Sequence, residues 1–219
     1  MNIFDIIGPV MVGPSSSHTA GAARIGKIVR DILGERPAKV EILLHGSFAK
    51  TYKGHGTDKA IVAGLLGMTP EDDRIRNSME MAREAGMEVS INTGIIKDAH
   101  PNTAEICATG SNGNKVTVRG ASVGGGNIVI NKINGMDVEL TAQYNAIIIS
   151  HSDAPGVIAS VTGVIAKEGI NIANLKGYRS AKGGDSVMII ETDQEIPQRT
   201  EELIRQLPRV HSTALIKPV

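Results

Sequence analysis

The chain has 219 residues, with 23 Lys and Arg set against 23 Asp and Glu, so its formal net charge is zero. That balance argues against nucleic acid or an anionic membrane surface as the main partner, because both are held through excess positive charge. Apolar residues make up 41% and charged residues 21%, which excludes a disordered chain. No apolar run reaches the roughly 18 residues needed to cross a bilayer. The start, MNIFDIIGPVMVG, carries Asp5 and Pro9 and no basic leader, so a cytoplasmic protein is expected. Cys107 is the single cysteine. One thiol cannot make an intrachain disulfide, a cysteine-rich zinc site or the cradle of an iron–sulfur cluster. A cluster, if this protein works with one, would have to be held by another chain.

An α+β first part is expected over residues 1–143, with helices early and antiparallel strands late. Ala20–Leu33 is predicted helical and stopped by Gly34, with Pro37 beyond. Val40–His45 alternates as a strand with Val40, Ile42 and Leu44 on one face. Asp58 is expected to cap a helix over Lys59–Leu66. Thr69-Pro70-Glu71-Asp72 is expected to open another that runs to about Ala85 and ends at Gly86. Strands are then expected over 88–92, 104–109, 115–121, 127–133 and 136–141, and Asn134-Gly135 is a two-residue hairpin turn.

The texture changes near Gln143–Ala146, and 146–219 reads as a second domain. Ala146–Ser150 is a strand, Asp153-Ala154-Pro155-Gly156 a turn, and Val157–Glu168 a helix closed by Gly169. Ile170–Arg179 and Ser186–Thr192 read as a hairpin. Pro197 fits the first turn of a helix to about Leu207, and His211–Ile216 closes the unit. This β-α-β-β-α-β order is the ferredoxin-like arrangement.

Four loops could carry chemistry. Gly13-Pro14-Ser15-Ser16-Ser17-His18-Thr19 leads toward a helix whose first turn, Ala20-Gly21-Ala22-Ala23, is small enough to leave its N–H groups open to an anion. A capping serine explains part of it, but three hydroxyls and a histidine exceed what a cap requires. Gly54-His55-Gly56-Thr57-Asp58 sets a histidine between glycines, with Lys50, Lys53 and Lys59 nearby; a helix cap and solvated lysines are the plain alternative. His100-Pro101-Asn102-Thr103 reads first as a turn. Ser122-Val123-Gly124-Gly125-Gly126-Asn127 is a bulge or a close backbone approach, without the spacing of a nucleotide loop. His18, His55 and His100 match no zinc spacing, so no metal held by this chain alone is expected.

Taken together, GPSSSHTAGAARIG, GSFAKTYKGHGTDKA, HPNT, SVGGG and the later DAPGV…GINI resemble the β chain of the bacterial iron–sulfur-dependent L-serine dehydratase, and the part from 146 onward resembles an ACT domain. The resemblance implies elimination of water from L-serine to give pyruvate and ammonia. It also implies a [4Fe–4S] cluster held by a partner α chain, whose open iron acts as a Lewis acid on the serine hydroxyl. By the same resemblance His18 is a catalytic residue, and Ser15, Ser16, Ser17, Thr19, His55 and Asp58 face the substrate. His100, Asn102, Gly124 and Gly125 are further candidates. In the ACT-like part, Asp153, Gly156, Val157 and the facing Asn171 would meet an amino-acid ligand, and the part would form a homodimer. The rival from another class is a stand-alone regulatory protein that senses a small anion and an amino acid; a purely structural dimer module is a third.

Overall fold

The computed structural model describes residues 11–219. The chain forms two compact units, one ending at Gly135 and one spanning Met136–Val219. Residues 136–143, which sequence texture groups with the first part, fall after that division, while their strand hydrogen-bonds into the first sheet as the grouping expects.

The first unit opens on a π-helical turn, Ser16–Gly21, that runs without a break into α1 (Ala22–Leu33). Helical winding thus starts four residues before the expected Ala20. Thr19 N–H bonds to the Ser15 carbonyl and Ala22 N–H to the Thr19 carbonyl, so these donors are spent inside the helix and not offered to an anion. Gly34 ends α1 in the left-handed conformation at φ 78°, as a C-terminal glycine should. β1 (Pro37–His45) follows and buries Val40, Ile42 and Leu44.

α2 (Gly46–His55) has no counterpart in the expected elements. It buries only Phe48 and carries glycine and lysine along its length, so it shows no apolar periodicity. Gly56, at φ 69°, links it to α3 (Thr57–Leu65), which has no side-chain cap. Asp58 is not the expected cap: it lies in the first turn of α3, where Oδ1 accepts from Lys59 N–H at 2.8 Å. α3 crosses α1 at close range, because a β-carbon on Gly26 would collide with the Ile61 carbonyl and one on Gly64 with the Ala23 carbonyl.

The next helix also starts late. Asp72, not Thr69, is the cap: it accepts from Arg74 N–H and opens a 3-10 turn, Asp73–Asn77, ahead of α4 (Ser78–Glu84). The Arg74 guanidinium and N–H hold the Asp72 carboxyl at about 2. β2 (Glu88–Gly94), β3 (Thr103–Gly110), β4 (Lys115–Gly124) and β5 (Asn127–Ile133) follow, and the sheet runs β2-β1-β3-β4-β5, with β6 (Met136–Leu140) hydrogen-bonded beyond β5. β1 pairs parallel with β2 and antiparallel with β3. The registers His45↔Gly94, Leu44↔Ala104, Thr103↔Ala121 and Ser122↔Ile128 gather the start of α2, the HPNT loop and Ser122 at one end of the sheet. The site lies at that end.

The second unit holds β6 (Met136–Leu140), β7 (Asn145–Ser152), α5 (Val157–Lys167), β8 (Ile172–Arg179), β9 (Asp185–Thr192), α6 (Gln198–Arg205) and β10 (Val210–Ile216). Strand order β10-β7-β9-β8, antiparallel throughout, is the ferredoxin-like topology. Its core sets Ile147, Ile149 and Ile190 of the sheet against Val161 and Ile165 of α5 and Ile204 of α6. Pro197 stands just outside α6 as its cap residue, with extended ψ of 147°, and not in the first turn. No described helix is long and apolar enough to cross a membrane.

Candidate functional site

His18 is the centre of the polar cluster. The π-helical turn carries it inward until only 9% of its surface is exposed. Ser15 both accepts its backbone N–H at 3.2 Å and lies 3.3 Å from Nδ1. The other ring nitrogen, Nε2, lies 3.1 Å from Ser47 Oγ on the first turn of α2. The edge of Phe48 closes one side at 5.2 Å between centroids, and His55, from the last turn of α2, meets the ring edge-to-face at 4.8 Å. Burial, and then the nearby His55, hold the His18 imidazole below its ordinary value of 6.5, against the opposing hydrogen bond to Ser47. Both effects favour the neutral ring.

A cavity of about 290 Å³ adjoins this cluster, lined by Thr19, Lys53, His55, Lys59 and Arg76 together with the backbone of Gly54 and Gly56. Among the described residues its lining holds three cations and no carboxylate, which suits an anion. Two buried atoms of its lining, Thr19 Oγ1 and His55 Nδ1, have no hydrogen-bond partner among the described residues. Asp58 is not part of the lining. Ser16 and Ser17 lie half-buried on the same turn as His18.

The HPNT loop reaches the cluster through its backbone. The Pro101 carbonyl accepts from Ser47 N–H at 2.7 Å and Phe48 N–H at 3.4 Å. Gly46, at φ 59°, leaves room for that carbonyl, which a β-carbon would meet at 2.5 Å. His100 itself is exposed and folds back on its own loop, Nδ1 accepting from Asn102 N–H at 3.1 Å. Asn102 donates weakly to the Ser122 carbonyl at 3.5 Å, and its Oδ1 is buried without a described partner. The glycine run is a turn between β4 and β5, with Gly124, Gly125 and Gly126 all at positive φ. The neighbouring Gly126 carbonyl accepts from Arg24 at 2.7 Å, and neither Gly124 nor Gly125 is in the cavity lining.

Comparison with known proteins fits this constellation. The serine dehydratase beta chain family matches residues 2–95, and the ACT domain matches residues 145–209. A protein of Bacillus subtilis (strain 168) named "Probable L-serine dehydratase, beta chain" is 42% identical over 209 residues, covering 95% of this chain and 94% of its own. The chain belongs to the serine dehydratase β-chain family. The L-serine dehydratase β chain of Peptoniphilus asaccharolyticus is 38% identical over 207 residues, covering 94% and 93%. A D-3-phosphoglycerate dehydrogenase of Methanocaldococcus jannaschii is 27% identical over 196 residues, 89% of this chain and 37% of that protein.

For a serine dehydratase β chain, the donor set decides what metal group it can hold. Its single cysteine, Cys107, sits half-buried on β3 opposite Glu41 and Thr117. Among the described residues no three His, Cys, Asp or Glu side chains gather as a metal site. An iron–sulfur cluster needs several thiolates, and this chain's side chains do not fit one by themselves.

The ACT unit does not bring its expected ligand residues together within one chain. Asp153 lies past the end of β7, where Oδ2 accepts from Gly183 N–H at 3.0 Å and from Arg179 at 3.3 Å. Those bonds, the Gly183 one first, hold its carboxyl below the usual range. Gly156 (φ 90°) and Val157 start α5 beside it. Asn171 precedes β8 at the other end of the sheet, bonded to Asp193 at 2.6 Å and Gln194 at 2.9 Å. The eight residues of β8 separate the two groups, roughly 25 Å at strand rise.

Ser47 and Arg76 are absent from the residues expected from sequence. Ser47 stands inside the quoted GSFAKTYKGHGTDKA motif, so its place there is the only signal; Arg76 had none.

Proposed function

We propose that this serine dehydratase β chain works with an α chain as a two-chain L-serine dehydratase and supplies one wall of the active site. The reaction removes the α-proton and the hydroxyl of L-serine. The resulting enamine tautomerises to an imine, and water releases pyruvate and ammonia. The iron–sulfur cluster is assigned to the α chain, because this chain's donors do not fit it.

The observation that carries the proposal is the His18–His55 pair beside a cavity whose charged lining, among the described residues, is cationic. In this proposal the serine carboxylate sits against Lys53, Lys59 and Arg76, and the glycines around His55 let the backbone approach it. Thr19 and the serines of the π-helical turn, Ser15, Ser16 and Ser17, give hydroxyls to the substrate side. His18, whose proton affinity is lowered, can take a proton at Nδ1 in exchange for its contact with the Ser15 hydroxyl, and His55 Nδ1 is a buried ring nitrogen with no partner among the described residues. Asp58 acts indirectly, by shaping the first turn of α3.

His18→Ala, combined with an intact α chain under anaerobic conditions, is expected to lower kcat about 10²- to 10⁴-fold in a pyruvate assay, the usual worth of a positioned acid–base group. Full activity in that variant would remove the role given to His18. A stand-alone sensor is not favoured, because relatives matched along nearly the whole chain are dehydratase β chains.

The ACT unit is proposed to pair two copies of the chain. A ligand that touches both the Asp153 turn and Asn171 then needs Asn171 from the second copy, since one copy holds them at opposite ends of its sheet. Calorimetry with L-serine is expected to give heat that Asn171→Ala abolishes. No heat with any amino acid would leave the unit a dimerisation element.

A further inference from the structure

Ser47 is a group for which the proposed function has not yet accounted. Its backbone is fixed on both sides: the N–H donates to Pro101 at 2.7 Å, and the carbonyl accepts from Thr51 Oγ1 at 2.8 Å. These bonds fix the point from which the Ser47 hydroxyl reaches its neighbour. That neighbour is the His18 ring, at 3.1 Å through Nε2.

The contacts around the ring fit a protonation pattern in which Nε2 is the donor. Ser15 Oγ accepts the His18 backbone N–H at 3.2 Å, and its own O–H can donate to Nδ1, 3.3 Å away, so the ring does not need the second lone pair of Oγ. Nδ1 is then the acceptor, the ring proton sits on Nε2, and Nε2–H donates to Ser47 Oγ. With Phe48 against one side and His55 edge-to-face on another, the ring has one plane that satisfies all four contacts.

We infer that Ser47 is a positioning residue for the dehydratase: its hydroxyl locks His18 in the Nε2–H tautomer and sets the ring plane that meets His55. The inference rests on the proposed role of His18. It also gives the HPNT loop a function. Pro101 does not touch the ring, yet its carbonyl fixes the first turn of α2 that carries Ser47.

Nitrogen-15 NMR of the imidazoles in this chain is the direct test. The wild-type His18 is expected to show a protonated Nε2 and an unprotonated Nδ1, Ser47→Ala a mixture of both tautomers, and Ser47→Thr, which keeps the hydroxyl, the wild-type pattern. In the complex with the α chain, Ser47→Ala is expected to lose about 3- to 10-fold in kcat, the worth of one hydrogen bond, with KM within about twofold and recovery in Ser47→Thr. A wild-type ring protonated on Nδ1, or a Ser47→Ala chain with an unchanged tautomer and full kcat, overturns the inference. Neither result bears on whether His18 acts at all, which the His18→Ala assay decides separately.

Discussion

At the residue scale, His18 is the group whose surroundings make the sharpest demands. Its value is lowered by burial first and by His55 second, so the folded chain binds that proton less readily than the unfolded chain. Stability from this group is fully present above about 6.5, the ordinary histidine value, and is lost as pH falls through the lowered value of the fold. Titration of the His18 ring by NMR should therefore give a value under 6.5, and His55→Gln should move it up toward the ordinary one. An unchanged value in that variant would contradict the electrostatic pairing of the two rings. His18 and His55 were legible in the sequence because both sit in loops of glycine and hydroxyl residues that a core histidine does not need. Ser47 was not. It lies 29 positions from His18, and only the turn from β1 into α2 brings the two side chains together.

Among the elements, the strands fall within two or three residues of where the alternation of apolar positions puts them, while the helices differ most at their starts. The polar loop before α1 is itself helical, because Ser15 caps it and the small residues 20–23 let the turn wind tightly against β4, where a β-carbon on Gly21 would strike Ser122. α2 was missed because its contacts are made by backbone, one phenylalanine and two site residues, none of which leaves a period in the sequence. The α1–α3 crossing gives a quantitative check. Gly64→Ala forces a methyl into the Ala23 carbonyl and is expected to cost about 1–3 kcal/mol. Gly163→Ala, on exposed α5 with open space around it, is expected to gain about 0.5–1 kcal/mol. Urea unfolding of both variants measures the pair, and a neutral Gly64→Ala would mean the two helices are not held by close backbone contact.

On the scale of the whole molecule, the second unit was the easier to read: short strands alternating with two capped helices leave few topologies open. The first unit mixes one parallel strand pair with an antiparallel run, and its long crossover through α2, α3 and α4 cannot be read from local patterns. Yet that crossover carries GHGTD, and with the turn before α1 and the β2–β3 connection it brings GPSSSHT, GHGTD and HPNT to one end of the sheet. The motifs announced a site before the fold showed how they meet. Their chemistry also announced a division of labour, since hydroxyls, imidazoles and cations are present here and the thiolates for a cluster are not.

The most direct test of that division is a titration of separately purified chains under anaerobic conditions, with pyruvate as the readout. Activity is expected to be absent with this chain alone and to climb as it is added to a fixed amount of α chain, levelling off at one copy per α chain. Pyruvate formed from L-serine at a full enzymatic rate by this chain on its own, or by the α chain without it, would contradict the account.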